Sequence, residues 1–156
     1  MLVAAAESCT AGLASDLIAR IPGASKVFWG SFVTYTVDAK VKMLGVPEPL
    51  IKKHGPVSRP VALAMAEGAL ERSGASWAFS VTGLAGPGDD GSGVPVGTVW
   101  IGVAGRDGEK PSSVRTEAKV FLLKGSRNEL RGEAAAAALE ELLKRIKDLD
   151  KREVKG

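Results

Sequence analysis

Residues 4–20 read AAAESCTAGLASDLIAR and contain the first change from a strand pattern to a helix pattern. Residues 1–6 are small or apolar with no polar alternation, which predicts a short strand covered on both faces of a sheet. Residues 10–20 place leucine and isoleucine at helical spacing, and Pro22-Gly23 ends this pattern. The stretch therefore predicts a strand, a turn that carries Ser8, and a helix.

The rest of the chain continues this alternation of strands and helices. Further strands are predicted at 27–36, 77–82, 98–104 and 113–123, and further helices at 38–43, from Pro47 onward, at 59–72 and at 127–147. Asp38, Ser58 and Ser126 are the expected N-caps of three of these helices. A turn at 106–108 joins the last two strands, which should therefore pair antiparallel. The order favours an α/β fold of three layers, α/β/α, with a mixed sheet.

The composition is that of one globular domain spanning 1–156, with a charged and frayed tail at 149–156. Hydrophobic residues make up 45% and charged residues 25%, a balance that is ordinary for such a domain. No apolar run approaches the roughly 18 residues of a membrane span, and no signal peptide is visible. We therefore expect a cytoplasmic protein without membrane association.

The single cysteine and the single histidine limit the chemistry that the chain can perform. Cys9 has no partner for an internal disulfide, and Cys9 and His54 cannot form a cysteine-rich or histidine-rich metal site. We therefore expect no metal and no cofactor. The net charge of +3 is not arranged as a basic stripe with aromatics, so nucleic-acid binding is not indicated. A modest positive potential favours an anionic small molecule.

The hydroxyl of Ser8 has two interpretations. Serine and threonine are preferred helix N-caps, and Ser8 stands just before the predicted helix. Alternatively, Thr10 caps the helix and Ser8 is a nucleophile beside free backbone N–H groups that can stabilise an oxyanion. The residues alone leave both interpretations open.

The longest glycine- and proline-rich stretch is TGLAGPGDDGSGVPVG, residues 82–97, which follows a predicted strand. It contains neither a Walker motif nor a G-x-G-x-x-G fingerprint. Ligands of α/β sheets bind beyond the carboxyl ends of strands, so this loop and the Ser8 turn are candidate walls of one site. A long surface loop is the alternative.

Several isolated side chains are further candidates that the residues alone do not rank. Lys40 and Lys42 point to different sides of one short helix, so only one of them can face a site. A catalytic lysine needs burial or a cationic neighbour to lower its pKa, whereas most helical lysines are solvated. Tyr35 is either a core residue or a hydrogen-bonding catalytic group, and Arg127 is either a surface residue or a phosphate ligand.

Seven motifs, in this order, resemble the C-terminal domain of the competence/damage-inducible protein CinA. They extend from Ala6 to the last predicted helix: AESCTAG, GSFVTYTVDAKVKMLGV, HGPVS, ALAMAEGAL, SVTGLAGPG, PVGTVWIGV and KGSRNELR. Each motif alone is weak, whereas the set is highly specific. The resemblance implies a three-layer α/β/α domain.

The stand-alone form of this family is similar to bacterial nicotinamide mononucleotide (NMN) deamidase. The resemblance thus implies metal-free hydrolysis of NMN to nicotinic acid mononucleotide and ammonia, a reaction of pyridine-nucleotide salvage in NAD metabolism. The catalytic serine, tyrosine and lysine of the family fall on Ser8, Tyr35 and Lys40. Its threonine falls on Thr82 and its arginine on Arg127.

The resemblance implies a role for each matched residue. Ser8 attacks the amide carbon, Lys40 takes and returns the proton, and Tyr35 supports the transfer. Backbone N–H groups of Cys9 and Thr10 stabilise the oxyanion. The expected substrate-binding residues are Thr82, Gly83, Gly86, Gly88 and Arg127, the last of which pairs with the phosphate. We also expect a homo-oligomer that acts on a nucleotide without a cofactor.

The sequence departs from the family pattern at several positions. Ala11 replaces the first glycine of the usual ESCTGG, Asp89 follows AGPG where glycine is usual, and Ser126 replaces the aspartate of GDR. Most members also have a helix before the first strand, whereas this sequence begins at the strand. Two other functions are the alternatives: a catalytically silent nucleotide-binding module, and an accessory domain in competence or DNA damage that acts through a partner protein.

Overall fold

The computed structural model describes residues 1–106 and 113–153. Five strands lie in this part of the chain: β1 Val3–Glu7, β2 Phe28–Val33, β3 Trp77–Gly83, β4 Thr98–Arg106 and β5 Val114–Leu122. The helices in the same ranges are α1 Leu13–Ala19, α2 Val37–Leu44, α3 Glu48–His54, α4 Arg59–Ser73 and α5 Arg127–Glu153. A short 3₁₀ turn, Ala24–Lys26, precedes β2.

The strands form one sheet in the order β2-β1-β3-β4-β5. β1 pairs in parallel with β2 and with β3, whereas β3 with β4 and β4 with β5 pair antiparallel. The predicted mixed sheet and the α/β fold class are therefore confirmed. Of the turn predicted at 106–108, only Arg106 belongs to the described residues.

Two apolar cores hold the three layers together. One lies between the sheet and helices α1 and α5, and the other lies between the sheet and helices α2, α3 and α4. Side chains alternate along β1, so Val3 and Ala5 enter the first core and Ala4 and Ala6 enter the second. All five residues of β1 are buried, as the absence of polar alternation predicts for residues 3–6. Met1 and Leu2, which the predicted strand included, precede β1 and are exposed.

Two helix starts differ from the capping pattern that the sequence suggests. The hydroxyl of Thr36 accepts a hydrogen bond from Ala39 N–H at 3.1 Å, so Thr36 and not Asp38 caps α2. Ser58 stands at the N-cap of α4, but its hydroxyl donates to the Gly55 carbonyl at 2.8 Å. Short polar side chains before a helix compete for several backbone groups, which is why the sequence alone misassigned these partners.

Helix α5 begins where predicted and ends later. Ser126 N–H donates to the Glu129 carboxylate at 2.7 Å and Glu129 N–H approaches Ser126 Oγ at 3.4 Å, the reciprocal pairing of a capping box. The helix continues into the segment expected to fray, and its last described residue is Glu153, beyond the predicted end at 147. Neither α5 nor any other helix within 1–106 and 113–153 is both long and apolar enough to cross a membrane.

The topology brings distant segments to one edge of the sheet. The parallel strands β1, β2 and β3 all end at this edge, β4 begins there, and β5 ends there just before α5. Ligand sites of α/β sheets lie beyond the carboxyl ends of parallel strands. The Ser8 turn, the Tyr35 loop, the loop after β3 and the start of α5 are therefore the segments to inspect for a site.

Candidate active site

The Ser8 turn is anchored by the buried carboxylate of Glu7. Glu7 is fully buried and accepts hydrogen bonds from the backbone N–H groups of Gly12 at 3.0 Å, Ala14 at 3.1 Å and Ser15 at 2.9 Å. The hydroxyl of Ser15 also donates to this carboxylate. Glu7 therefore satisfies the free N–H groups of the first turn of α1.

The capping role considered for Ser8 or Thr10 is wrong. Ala11 and Gly12 adopt left-handed backbone conformations, with φ of 48° and 97°, and these turn the chain so that α1 begins only at Leu13. Thr10 Oγ1 is buried without a hydrogen-bond partner among the described residues. Capping by Glu7 was missed because its side chain reaches the helix from the end of a strand. The signal that could have found it is a carboxylate ending a buried strand, which needs partners.

The hydroxyl of Ser8 is thus free for chemistry. Its backbone N–H donates to the Val81 carbonyl at 2.9 Å, which fixes the residue between β1 and β3. Its Oγ lies 2.8 Å from Lys40 Nζ and 3.5 Å from the Tyr35 carbonyl oxygen. Ser8 is only 7% exposed, so this hydroxyl meets a lysine in a place largely closed to water.

Lys40 is the most deeply buried cationic residue in the described ranges, at 2% exposure. Its Nζ donates to Ser8 Oγ, to the Thr34 carbonyl at 2.9 Å and to the Tyr35 carbonyl at 3.4 Å. Burial lowers the pKa of Lys40 from 10.5 to about 8, and the neighbouring Cys9 thiol opposes this shift. All three hydrogen-bond partners are neutral oxygens, so none of them stabilises the ammonium as a carboxylate does.

Lys42 lies on the opposite side of the same helix. Its side chain is 73% exposed and pairs with Asp38 at 3.0 Å, one helical turn earlier. Of the two lysines that the sequence could not rank, the structure therefore brings only Lys40 to Ser8.

Cys9 contributes its backbone to the site and is a poor nucleophile. Burial raises the pKa of its thiol to about 11, so the thiol is protonated at neutral pH. Among the described residues, no backbone carbonyl accepts a hydrogen bond from the N–H of Cys9 or of Thr10. Hydrogen bonds from both N–H groups to the Cys9 sulfur oppose the rise in the pKa of the thiol, so the two groups lie beside this side chain. Cys9 lines the cavity described below, whereas Thr10 is fully buried behind it.

Tyr35 and Arg127 meet at the mouth of the site. An Arg127 Nη donates to the Tyr35 phenol oxygen at 2.7 Å, and the other Nη donates to the Gly86 carbonyl at 2.7 Å. Tyr35 is 52% exposed. The backbone carbonyl of Tyr35 contacts Ser8 and Lys40, whereas its phenol contacts Arg127.

A cavity of about 280 Å³ joins these groups. The residues that line it are Ser8, Cys9, Tyr35, Val37, Lys40, Pro56, Val57, Thr82, Gly83, Leu84, Ala85, Asp90 and Arg127. A larger groove of about 570 Å³ lies between α1 and α5, but its lining contains no ionisable side chain. We therefore assign the chemistry to the smaller cavity.

Comparison with known proteins shows the family to which the chain belongs. The sequence profile described as the CinA C-terminal domain matches residues 1–146 of this chain. The chain belongs to the CinA C-terminal domain family.

CinA-like proteins of Chlorobaculum tepidum and Akkermansia muciniphila are 45% identical over 152 residues and 49% identical over 140 residues. These matches cover 96% and 90% of this chain but 35% and 32% of the relatives. The chain thus spans about a third of the length of the curated relatives it matches.

Solved structures share the fold of this CinA domain. A competence-damaged protein (CinA) superfamily protein from Escherichia coli is similar with a TM-score of 0.84 at 31% identity, covering 92% of this chain and 79% of that chain. The competence/damage inducible protein CihA from Agrobacterium tumefaciens is similar with a TM-score of 0.82 at 42% identity. This match covers 92% of this chain and 84% of that chain. These names give the family and no substrate.

Thr82 and the loop after β3 form one wall of the CinA-domain cavity. Thr82 is 1% exposed, and its hydroxyl donates to the Pro56 carbonyl at 2.8 Å. Gly83 lies so close to its neighbours that an added Cβ would stand 2.8 Å from Val99 Cγ2. Gly86 and Gly88 are both outside the cavity lining, and Gly86 accepts a hydrogen bond from Arg127 through its carbonyl.

Besides Glu7, two charged residues of this CinA domain, Asp90 and Arg131, were not predicted from the sequence. Asp90 lines the cavity, and hydrogen bonds from the side chain and backbone of Ser92 hold the pKa of its carboxyl below the usual range. Arg131 donates to the carbonyls of Cys9 and Thr10 from α5. The only sequence signal for Arg131 is its position one helical turn after Arg127. Among the described residues, no group of three or more His, Cys, Asp or Glu could hold a metal ion.

Proposed function

We propose that this CinA domain is an amidohydrolase that converts NMN and water into nicotinic acid mononucleotide and ammonia. The observation that carries the proposal is the 2.8 Å contact between Lys40 Nζ and Ser8 Oγ in a buried environment. A hydroxyl beside a lysine of lowered pKa is a known arrangement for an activated nucleophile. The resemblance of the CinA motifs supports NMN as the substrate.

The first step forms a tetrahedral adduct on Ser8, and the acyl-enzyme forms when ammonia later leaves. Neutral Lys40 Nζ accepts the proton of Ser8 Oγ while this oxygen forms a bond to the amide carbon and the carbonyl π electrons move to oxygen. A pKa of about 8 leaves a usable fraction of neutral amine at neutral pH. The lysine is already in hydrogen-bond contact, so the proton has no water-filled gap to cross.

The negative charge that develops on the amide oxygen requires donors. The N–H groups of Cys9 and Thr10 follow the nucleophile directly, and no backbone carbonyl of the described chain occupies them. Fixed backbone donors stabilise an oxyanion strongly, since removal of one donor costs about 10²–10³ in rate in known cases. We assign the oxyanion site to these two groups.

The second half of the reaction returns the proton and releases the products. The Lys40 ammonium gives its proton to the amide nitrogen, the carbon–nitrogen bond breaks, and ammonia leaves. A water then attacks the Ser8 ester with neutral Lys40 as its base, and the returned proton restores the Ser8 hydroxyl. One amide and one water are consumed, and one carboxylic acid and one ammonia are formed.

Arg127 is proposed to bind the phosphate of NMN at the start of α5. Its guanidinium now contacts Tyr35 and Gly86, and a phosphate can accept hydrogen bonds from the same N–H groups. Tyr35 thus holds Arg127 at the mouth of the cavity, in addition to its backbone contact with Lys40.

Arg127→Ala is expected to lower kcat/KM for NMN by roughly 10-fold to 100-fold, the range of a lost hydrogen bond to a charged group. Hydrolysis of nicotinamide riboside, which lacks the phosphate, should change by less than about twofold because that interaction is absent. Parallel assays on the two substrates measure the difference. An equal loss on both would show that Arg127 supports the fold and does not bind phosphate.

The rate should rise with pH because the reaction needs neutral Lys40. Below a pH of about 8 most of this lysine is protonated and cannot accept the Ser8 proton, and above it most is neutral. We expect kcat/KM for NMN to increase about tenfold per pH unit well below this pKa and to level off above it. The profile is measured from pH 6 to 10. A rate that falls on passing through pH 8 would contradict the base role.

The two alternative functions give different results with wild-type protein. An amidohydrolase releases ammonia from NMN, whereas a silent nucleotide-binding module binds NMN in calorimetry without release. A competence or DNA-damage accessory domain shows neither result. The Ser8–Lys40 contact favours the amidohydrolase. The cytoplasmic location, the homo-oligomer and the absence of a nucleic-acid partner stay predictions.

A further inference from the structure

Arg131 contacts the Ser8 turn from outside the cavity. Its Nε donates to the Cys9 carbonyl at 2.9 Å, and one Nη donates to the Thr10 carbonyl at 3.1 Å. The other Nη donates to Asn128 Oδ1 at 3.2 Å. Arg131 is not among the residues that line the cavity. This guanidinium therefore reaches the cavity through the turn that it binds and through its charge, which also lowers the pKa of the Cys9 thiol.

The turn needs support because part of its backbone is strained. Ala11 is a non-glycine residue with φ of 48°, a conformation that L-residues adopt only when their surroundings impose it. Glu7 holds the N–H groups at the far end of the turn, and Arg131 holds the carbonyls at the near end. The two side chains thus restrain the turn from both ends with opposite charges.

Peptide geometry links Arg131 to the proposed oxyanion site. The Cys9 carbonyl belongs to the same peptide unit as the Thr10 N–H, and a trans peptide directs its N–H opposite to its C=O. With the carbonyl bound to Arg131, the Thr10 N–H points away from that side chain. A cation on the carbonyl oxygen also polarises the peptide and makes its N–H a stronger donor.

We propose that Arg131 is a positioning residue, which fixes and polarises the Ser8 turn so that its N–H groups stabilise the transition state. The inference rests on the proposed amidohydrolase function, because the oxyanion exists only in that reaction. It predicts an effect on kcat and little effect on KM, since Arg131 does not line the cavity that receives substrate.

Arg131→Gln should lower kcat for NMN by roughly 10²-fold, the scale of a misplaced oxyanion donor, with KM within about twofold of wild type. Arg131→Lys should recover part of the rate because it keeps the charge and can reach one carbonyl.

Arg145→Gln is the matched control. Arg145 is on the same helix, about 21 Å farther along the axis, and pairs with Glu117 and Glu141. Its replacement should leave kcat unchanged.

Amide hydrogen exchange gives a readout that needs no turnover. In Arg131→Gln the hydrogen-bonded amides of Ser8, Ala11 and Gly12 should exchange at least about tenfold faster, as expected for a lost charged hydrogen bond, while those of α5 keep the wild-type rates. Unchanged exchange of the amides of residues 8–12 would overturn the proposal. A wild-type kcat would also overturn it, as would a rise in KM as large as the fall in kcat. If wild-type protein releases no ammonia, the enzymatic assignment and the positioning role both fail. Exchange at 8–12 then decides only whether Arg131 restrains the turn.

Discussion

Ser8→Ala is expected to lower kcat for ammonia release from NMN by roughly 10⁴-fold or more. Loss of an activated serine removes the covalent route entirely, and what remains is catalysis by binding and oxyanion stabilisation. The fold should survive, because the free N–H groups of α1 are bound by Glu7 and not by Ser8. Circular dichroism and thermal unfolding verify that the variant is folded at the assay temperature.

Ser73→Ala is the matched control for this experiment. Ser73 is also partly buried, but its hydroxyl donates to the Ala69 carbonyl at the end of α4, away from the cavity lining. This variant should keep the wild-type kcat. Near-normal turnover by Ser8→Ala would exclude Ser8 as the nucleophile, and the acyl-enzyme mechanism would have to be abandoned.

Lys40→Met is expected to lower kcat by roughly 10²-fold to 10⁴-fold, the range of a lost general acid–base group. Methionine fills most of the space of the lysine stem without a titratable nitrogen, so the packing of α2 should change little. The residual activity should also lose the pH dependence near pH 8, because the group responsible for it is absent. Steady-state kinetics across the pH range measures both effects.

Lys42→Met separates this role from a general need for positive charge on α2. Lys42 is exposed and pairs only with Asp38 in the described ion pairs, so its replacement should change kcat by less than about twofold. A large loss for Lys42→Met with a normal rate for Lys40→Met would reverse the assignment of the base.

The sheet was predictable because its strands carry strong local signals. The apolar run of β1 indicates burial on both faces, and the short connection between β4 and β5 indicates antiparallel pairing. Both features are observed. The helix caps were less predictable, because Thr36 and Asp38 are both good caps and only the packed backbone decides between them.

The candidate site was only partly accessible from the residues. Composition and spacing could not choose between Lys40 and Lys42, since burial of one lysine depends on how α2 packs on the sheet. The family resemblance selected Ser8 and Lys40, and the structure places their side chains in contact. The proposed support of the proton transfer by Tyr35 requires a hydrogen bond to the Ser8–Lys40 pair, and the structure supplies this contact through the Tyr35 carbonyl, whereas the phenol contacts Arg127.

Glu7 and Arg131 were missed for one physical reason. Each acts on backbone groups across an element boundary, and no periodic pattern reports such a contact. Glu7 reaches from a strand to the helix that follows, and Arg131 reaches from the last helix to the first turn. A sequence shows which residues are charged, but the fold decides which backbone groups they bind.

The separation of the contacts along the chain affects when the candidate site of the domain can be fully formed. Ser8 and Lys40 are 32 residues apart, whereas Cys9 and Arg131 are 122 residues apart. The contact between Cys9 and Arg131 joins the first turn to the last helix, so it cannot form until α5 exists. A nascent chain on the ribosome holds Ser8 and Lys40 long before α5 has been synthesised. Full restraint of the Ser8 turn therefore arises only when the domain is complete, and an unfinished chain lacks this restraint.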